Sequence, residues 1–119
     1  MVIIFFGLPG SGKSYLAQRV ARTLGADYLS SDVLRKRLIT KPTYSYEEKL
    51  IVYKKMYDTM YEHKKSSNSL VLDGTFFKRS IRDSFKKLAE DLNMEIKWIE
   101  VVSDEEVLKE RLSKKRVDS

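Results

Sequence analysis

The chain has 119 residues, with 23 Lys and Arg against 17 Asp and Glu, a formal charge of +6. Its length falls within the usual span of one domain, roughly 100–150 residues, which argues against two independent cores. Apolar residues at 42% and aromatics at 11% exclude a disordered tail, and the absence of cysteine excludes a disulfide scaffold, a thiolate metal site and a cysteine nucleophile.

Val2 to Phe6 is a continuous β-branched and aromatic run, ended by Gly7-Leu8-Pro9-Gly10, and reads as a strand buried on both faces. Starting at Met1, this run has no basic n-region and is too short to cross a bilayer, so neither a signal peptide nor an anchor is expected. From Gly12 to Leu24, Leu16, Val20 and Leu24 recur every four residues before Gly25, predicting an amphipathic helix. A short strand follows over Asp27 to Ser30, then a basic helix from about Asp32 to Ile39. Pro42 breaks that helix. Ser45 and Glu48 predict a capping box for a longer helix from Tyr46 to Lys65. Leu70 to Asp73 reads as a short strand with an acid at its end. Ile81, Phe85, Leu88, Ala89 and Leu92 mark a further helix. Ile96, Trp98, Ile99, Val101 and Val102 mark a fourth strand. Ser103 with Glu106 is a second capping box, opening a final helix with Val107, Leu108 and Leu112. The alternation predicts an α/β fold, a parallel sheet with helices on both faces, and places the loops after Gly7, Ser30 and Asp73 at one shared cleft.

Gly7-Leu8-Pro9-Gly10-Ser11-Gly12-Lys13-Ser14 matches the phosphate-binding loop G-x-x-x-x-G-K-[ST] at every fixed position, with a strand before it and a helix after it. The glycines let backbone N–H groups curl inward as an anion nest at a helix N-terminus. Lys13 is expected on the outer phosphates and the Ser14 hydroxyl on Mg²⁺. Gly7, Pro9, Gly10, Ser11, Gly12, Lys13, Ser14 and the adjoining Tyr15 form the candidate ATP-binding set. Asp73 suits a position facing the Mg²⁺ bound at Ser14, although Asp-Gly is also ordinary turn chemistry. Asp32 and Arg35, three apart at a helix start, project from the same turn. Such an acid can take a proton from an attacking hydroxyl, and such an arginine can hold an anionic acceptor or the migrating phosphoryl group. The bland alternatives are a first-turn acid favoured by the helix dipole and an exposed helix cation.

Gly7–Ser14, Ser31-Asp32-Val33-Leu34-Arg35 and Leu72-Asp73-Gly74-Thr75-Phe76, with Arg79 and Arg82 following, together resemble the small P-loop kinases of the polynucleotide-kinase and zeta-toxin type. The closest likeness is to ATP-binding proteins of the AAA_33 type. The resemblance implies a P-loop NTPase fold, a three-layer α/β/α arrangement around a mainly parallel sheet. It also implies Asp32 as general base, Arg35 as a phosphate contact on the acceptor side, and Thr75 with Arg79 or Arg82 along the acceptor cleft. Arg111, and less securely Arg116, match arginines that reach over the triphosphate in such kinases. Arg111 lies three residues after Leu108 and four after Val107, so it points partly to the apolar side of its helix. The family pattern continues through a lid into a fifth strand, whereas this sequence ends at Val117-Asp118-Ser119, so that strand is expected to be absent.

Nine Lys and Arg against four acids lie between Val33 and Lys65, so nearly all the excess charge is expected beside the acceptor site. An anionic acceptor such as a nucleic-acid end or a phosphorylated metabolite fits that charge, and so does a solubilising helix surface. Tyr46, Tyr53, Tyr57 and Tyr61 read as a packing stripe, with base stacking as the minority alternative. His63 reads as a solvated residue complementing a helix end. The leading expectation is a cytoplasmic, Mg²⁺-dependent kinase that moves the ATP γ-phosphoryl group to a hydroxyl, with no membrane partner. A nucleotide-binding module without its own turnover and an NTP hydrolase are the alternatives. The hydrolase ranks last, because Asp32-x-x-Arg35 suits an organic hydroxyl better than water.

Overall fold

Strand β1 (Val2–Phe6) alternates its side chains across the sheet and thereby divides the core in two. Val2 and Ile4 enter the larger cluster and Ile3 and Phe5 the smaller one, all four buried. The structure, a computed structural model, describes residues 1–103. After β1 come α1 (Lys13–Leu24), β2 (Asp27–Ser30), α2 (Ser31–Leu38), α3 (Tyr46–His63), β3 (Leu70–Gly74), α4 (Arg79–Asp91) and β4 (Ile96–Glu100). The final helix with Val107, Leu108 and Leu112, and with it Arg111 and Arg116, lies outside the described residues.

The four strands are parallel in the order β2-β3-β1-β4, with Asp73 level with Phe5 on one side and Ser30 on the other. Parallel neighbours need crossovers, and these put helices on both faces. The predicted three-layer α/β/α architecture is therefore what the described residues form. Because β1 sits between β3 and β4, the loops after β1 and β3 emerge side by side at the carboxyl edge, where ligands of open α/β sheets bind.

The larger cluster joins Val2, Ile4, Leu70 and Leu72 of the sheet to Val52, Tyr53, Met56 and Met60 of α3 and to Ile81, Phe85, Leu88 and Ala89 of α4. Phe76 lies at its centre, fully buried, with its ring edge-to-face against Tyr53, Phe85 and Trp98 at 5.0, 5.1 and 5.6 Å. Its φ of 45° is unusual for an aromatic residue and shows how far packing dictates the turn after β3.

Three sequence expectations change here. Helix α1 forms as predicted, but its buried face is Ala17 and Ala21, while Leu16 and Leu24 are exposed. The helix packs against Ile3, Phe5 and Val71 through these methyl groups, and larger side chains are set to the flanks. The tyrosine stripe divides, with Tyr53 buried, Tyr57 half-buried against Phe85, and Tyr61 exposed. Each four-residue step in an α-helix advances about 40° beyond a full turn, enough to carry the stripe out to solvent. His63 is not a solvated cap: its Nε2 lies 2.9 Å from the Asn68 carbonyl and 3.6 Å from Asp27 Oδ2, tying the end of α3 to the entry of β3.

The close approach of α1 predicts opposite responses at adjacent positions. Ala17→Leu should destabilise the fold by about 1–3 kcal/mol through overpacking, whereas Leu16→Ala should stay within about 1 kcal/mol. Urea unfolding of the two variants checks both values.

Candidate active site

The phosphate loop begins where β1 runs out of room for side chains. Gly7 has φ 142°, and a Cβ there would collide with the carbonyl oxygen of Val101. Gly12 stands at the N-cap of α1 with φ 83°, and no side chain caps the helix. The first N–H groups of α1 are thus left for an external acceptor, and the helix dipole adds positive potential there. Ser11 Oγ is buried without a hydrogen-bond partner in this same turn. A phosphate oxygen would satisfy these groups. Pro9, Gly10, Lys13 and Ser14 line the adjoining cleft, whereas Tyr15 is exposed and is not among the lining residues.

Asp73 is 1% exposed at the end of β3, with Lys13 Nζ 3.1 Å from Oδ1 and the Tyr28 hydroxyl donating to Oδ2 at 2.6 Å. Burial, and then the hydrogen bond to Asp73, raises the Tyr28 pKa above its ordinary value. Among the described residues no group of three or more His, Cys, Asp or Glu could hold a metal. Mg²⁺ at phosphate sites needs no such cage, since one carboxylate, a hydroxyl, waters and the phosphates suffice. Asp73 and Ser14 therefore fit Mg²⁺, and Lys13 fits phosphate.

Helix α2 supplies the next wall. The Ser30 hydroxyl caps it by accepting from Val33 N at 3.0 Å, which sets Asp32 and Arg35 on its opening turns. Asp32 is largely exposed at the cleft, and its Oδ1 accepts from Arg35 Nη1 at 3.0 Å. Arg35 is buried instead, with Nε 3.3 Å from Glu48 Oε1. Glu48 departs from the predicted capping box. Its backbone N–H donates to Ser45 Oγ, but its carboxylate turns away and accepts from Thr43 N at 2.7 Å and Thr43 Oγ1 at 3.0 Å. Burial pushes the Glu48 pKa up. The Thr43 and Tyr44 hydrogen bonds and the Arg35 charge outweigh that and hold it below the ordinary carboxylate value.

The third wall is the turn after β3. The Tyr53 hydroxyl accepts from Phe76 N at 2.9 Å and lies 3.1 Å from Thr75 Oγ1. The Tyr53 hydroxyl thus ties both the backbone of Phe76 and the side chain of Thr75 to α3. A Cβ on Gly74 would lie 2.6 Å from the Tyr53 hydroxyl, so only glycine leaves space for this bond. Arg79 and Arg82 were expected alongside Thr75 but are not cleft-lining residues. Arg82 Nη1 donates to the Phe76 carbonyl at 2.6 Å, and Arg79 is exposed beside Asp83.

These walls enclose a cleft of about 500 Å³ lined by the phosphate loop, Ser31, Asp32, Arg35 and Thr75, together with Tyr44, Lys49 and Phe77. Sequence reasoning assigned no site role to Tyr44, Phe77, Tyr28 or Glu48; Lys49 entered it only as part of the basic stretch, and Tyr53 only through the tyrosine stripe. Of the nine basic residues between Val33 and Lys65, only Arg35 and Lys49 reach the cleft. Arg35 is neutralised by Glu48 and Asp32, whereas Lys49 makes no ion pair among the described residues.

Residues 2–119 match the AAA_33 family, described as an AAA domain. Three curated mycobacterial proteins of uncharacterised function, one from Mycobacterium bovis and two from strains of Mycobacterium tuberculosis, are each 29% identical over 118 residues, covering 89% of this chain. The chain spans about a quarter of the length of these relatives, 24% in each. Among solved structures, a Chloroflexus aurantiacus protein provisionally assigned as a kinase aligns with TM-score 0.75 and 22% identity, over 98% of this chain and 67% of that one. A gluconokinase from Sinorhizobium meliloti aligns with TM-score 0.66 and 23% identity, over 92% and 62%. A Mycobacterium tuberculosis APS kinase in complex with AMPPNP and APS aligns with TM-score 0.67 and 24% identity, over 83% and 60%. The fold is that of P-loop kinases.

Glu48 generates a pH-dependent prediction. A carboxylate with a depressed folded pKa stabilises the fold above its unfolded pKa, near 4.5, and loses that contribution as pH falls through the folded value. Glu48→Gln should therefore be less stable than wild type at pH 7, with the difference shrinking below pH 4.5. Thermal melts of both proteins across pH 3–7 measure it.

Proposed function

The chain belongs to the AAA_33 family, and we propose that it is a phosphotransferase that moves the γ-phosphoryl group of ATP to the hydroxyl of an anionic acceptor. The observation that carries this reading is the convergence on one cleft of a phosphate loop, a buried acid beside its lysine, and a second, solvent-facing acid on α2. An APS kinase of the same fold holding AMPPNP and APS together supports a two-substrate cleft.

The division of labour follows from burial. The open N–H groups of α1 and Lys13 bind the phosphates, while Ser14 and Asp73 would hold Mg²⁺. When bound, that ion neutralises charge across the β- and γ-phosphates. Asp73, buried between Lys13 and Tyr28 with both oxygens engaged, suits a charge-holding role. Asp32, exposed and with Oδ2 carrying no hydrogen bond among the described residues, suits proton acceptance from the acceptor hydroxyl. Arg35 orients Asp32 through its 3.0 Å bond. Thr75 offers its hydroxyl to the acceptor from the opposite wall, and Lys49 supplies net positive charge for the anionic group.

Incubation with Mg²⁺ and γ-labelled ATP against 5′-hydroxyl oligonucleotides, nucleosides and sugars tests the reading. Label transfer should occur in the wild type and fall roughly 10²–10⁴-fold in Asp32→Asn, the usual contribution of a positioned general base. Label released only as free phosphate would assign a hydrolase instead, and ATP binding with neither outcome would assign a binding module. Lys13→Ala should weaken ATP binding; unchanged affinity there would sink the phosphate-loop assignment.

A further inference from the structure

Tyr44 is the residue the reaction above leaves without a task. It lines the cleft, is 60% exposed, and has φ 58°, a left-handed conformation that bulky side chains avoid. Strain of this kind persists only where the surroundings over-determine it. They do so here. The buried Glu48 carboxylate takes hydrogen bonds from the N–H and the hydroxyl of Thr43, the residue before Tyr44. On the other side, Ser45 is fixed as the cap of α3. The chain is clamped on both sides of Tyr44.

The clamp sets the ring against Arg35, whose guanidinium carbon lies 4.7 Å from the ring centroid. One ring face is thus occupied, and the exposure belongs to the other face and the edge. Phe77, the second aromatic residue of the cleft, carries Lys49 Nζ 4.9 Å from its centroid. Arg35 is already neutralised by Asp32 and Glu48, so the Tyr44 ring gains little by shielding it. An exposed aromatic ring pinned in an unfavourable backbone conformation at a cleft is built to meet something flat.

We propose that Tyr44, clamped by Glu48, is a stacking platform that selects an acceptor containing a planar aromatic ring, with Lys49 taking the acceptor's anionic group. This deepens the kinase reading and rests on it for the identity of the cleft. Stacking tolerates many rings because each has a π-face, so Tyr44 selects a class of acceptor and not a single compound. Tyr44 and the proton-accepting Asp32 line the same cleft, and Arg35 touches both, so the platform and the acid belong to one wall.

Phenyl phosphate and cyclohexyl phosphate carry the same charge and nearly the same bulk, and differ in the flat π-face. Each is titrated by ligand-observed NMR into the protein with its phosphate loop filled by Mg²⁺ and AMPPNP. Wild type should bind phenyl phosphate about tenfold more tightly, in the range of one aromatic stack. The ratio should fall to about one in Tyr44→Leu and persist in Tyr44→Phe. Glu48→Gln, which keeps the ring but weakens its clamp, should lower the ratio as well. AMPPNP affinity in each variant reports that the fold is intact. A ratio near one in wild type, an unchanged ratio in Tyr44→Leu, or no binding of either phosphate at millimolar concentration would overturn the proposal. Binding needs no turnover. A protein that prefers the ring yet transfers no label would refute the kinase reading and leave the platform standing.

Discussion

The site depends on one buried ion pair. Lys13 belongs to the first turn of α1 and Asp73 to the last residues of β3, and they meet at 3.1 Å with almost no exposure. Removing two charges from water costs several kcal/mol per ion, and a close pair recovers this only if the remaining polar sites are satisfied. Tyr28 satisfies Oδ2 from the neighbouring strand, but among the described residues Oδ1 has only the lysine. Breaking such a pair from one side typically costs about 3–5 kcal/mol, because the survivor is left charged and alone. The pair therefore fixes the phosphate loop to the centre of the sheet. It also keeps an acid and a cation where a metal and a phosphate would exchange places with them as partners.

The acceptor side is organised by a second buried acid with the opposite sense. Asp73 faces the phosphate loop through Lys13, while Glu48 is consumed internally by Thr43, Tyr44 and Arg35. Its effect reaches the cleft through others. It holds Arg35, which holds Asp32, and it clamps the turn that presents Tyr44. Tyr53 plays a comparable part across the cleft, where its hydroxyl fixes the backbone of Phe76 and the side chain of Thr75. Both Glu48 and Tyr53 sit on α3, so this helix carries the supports of two walls. The basic character of the 33–65 stretch turns out to be mostly surface, with Lys54 paired to Asp58 and Lys65 to Glu62.

The strand and helix pattern and the phosphate loop were legible because they depend on local spacing. A β-branched run before G-x-x-x-x-G-K-[ST] can hardly be anything but a buried strand feeding a phosphate-binding helix. Asp32 and Arg35 were legible for the same reason, being one helical turn apart. Helix faces were less so. Leu16 and Leu24 follow the right period, but the face that met the sheet was the one with the smallest side chains, because distance of approach decided it. Arg82 looked like an acceptor contact by its place after Asp73, yet its guanidinium donates to the Phe76 carbonyl, in a turn with φ 45°.

What the sequence by itself determined is the chemistry that adjacent residues can state: an anion nest at a helix start, an acid closing a strand, an acid and an arginine on one turn. What only the tertiary structure decided is which side chains from distant elements share a charge or a proton. Lys13 finds Asp73 across 60 residues, Arg35 finds Glu48 across a helix break, and Thr75 meets the Tyr53 hydroxyl from another element. The physical reason is that hydrogen bonds and ion pairs act over a few ångströms in space. A sequence reports such distances only within a helical turn or along a strand, and beyond that the packing of the sheet sets them.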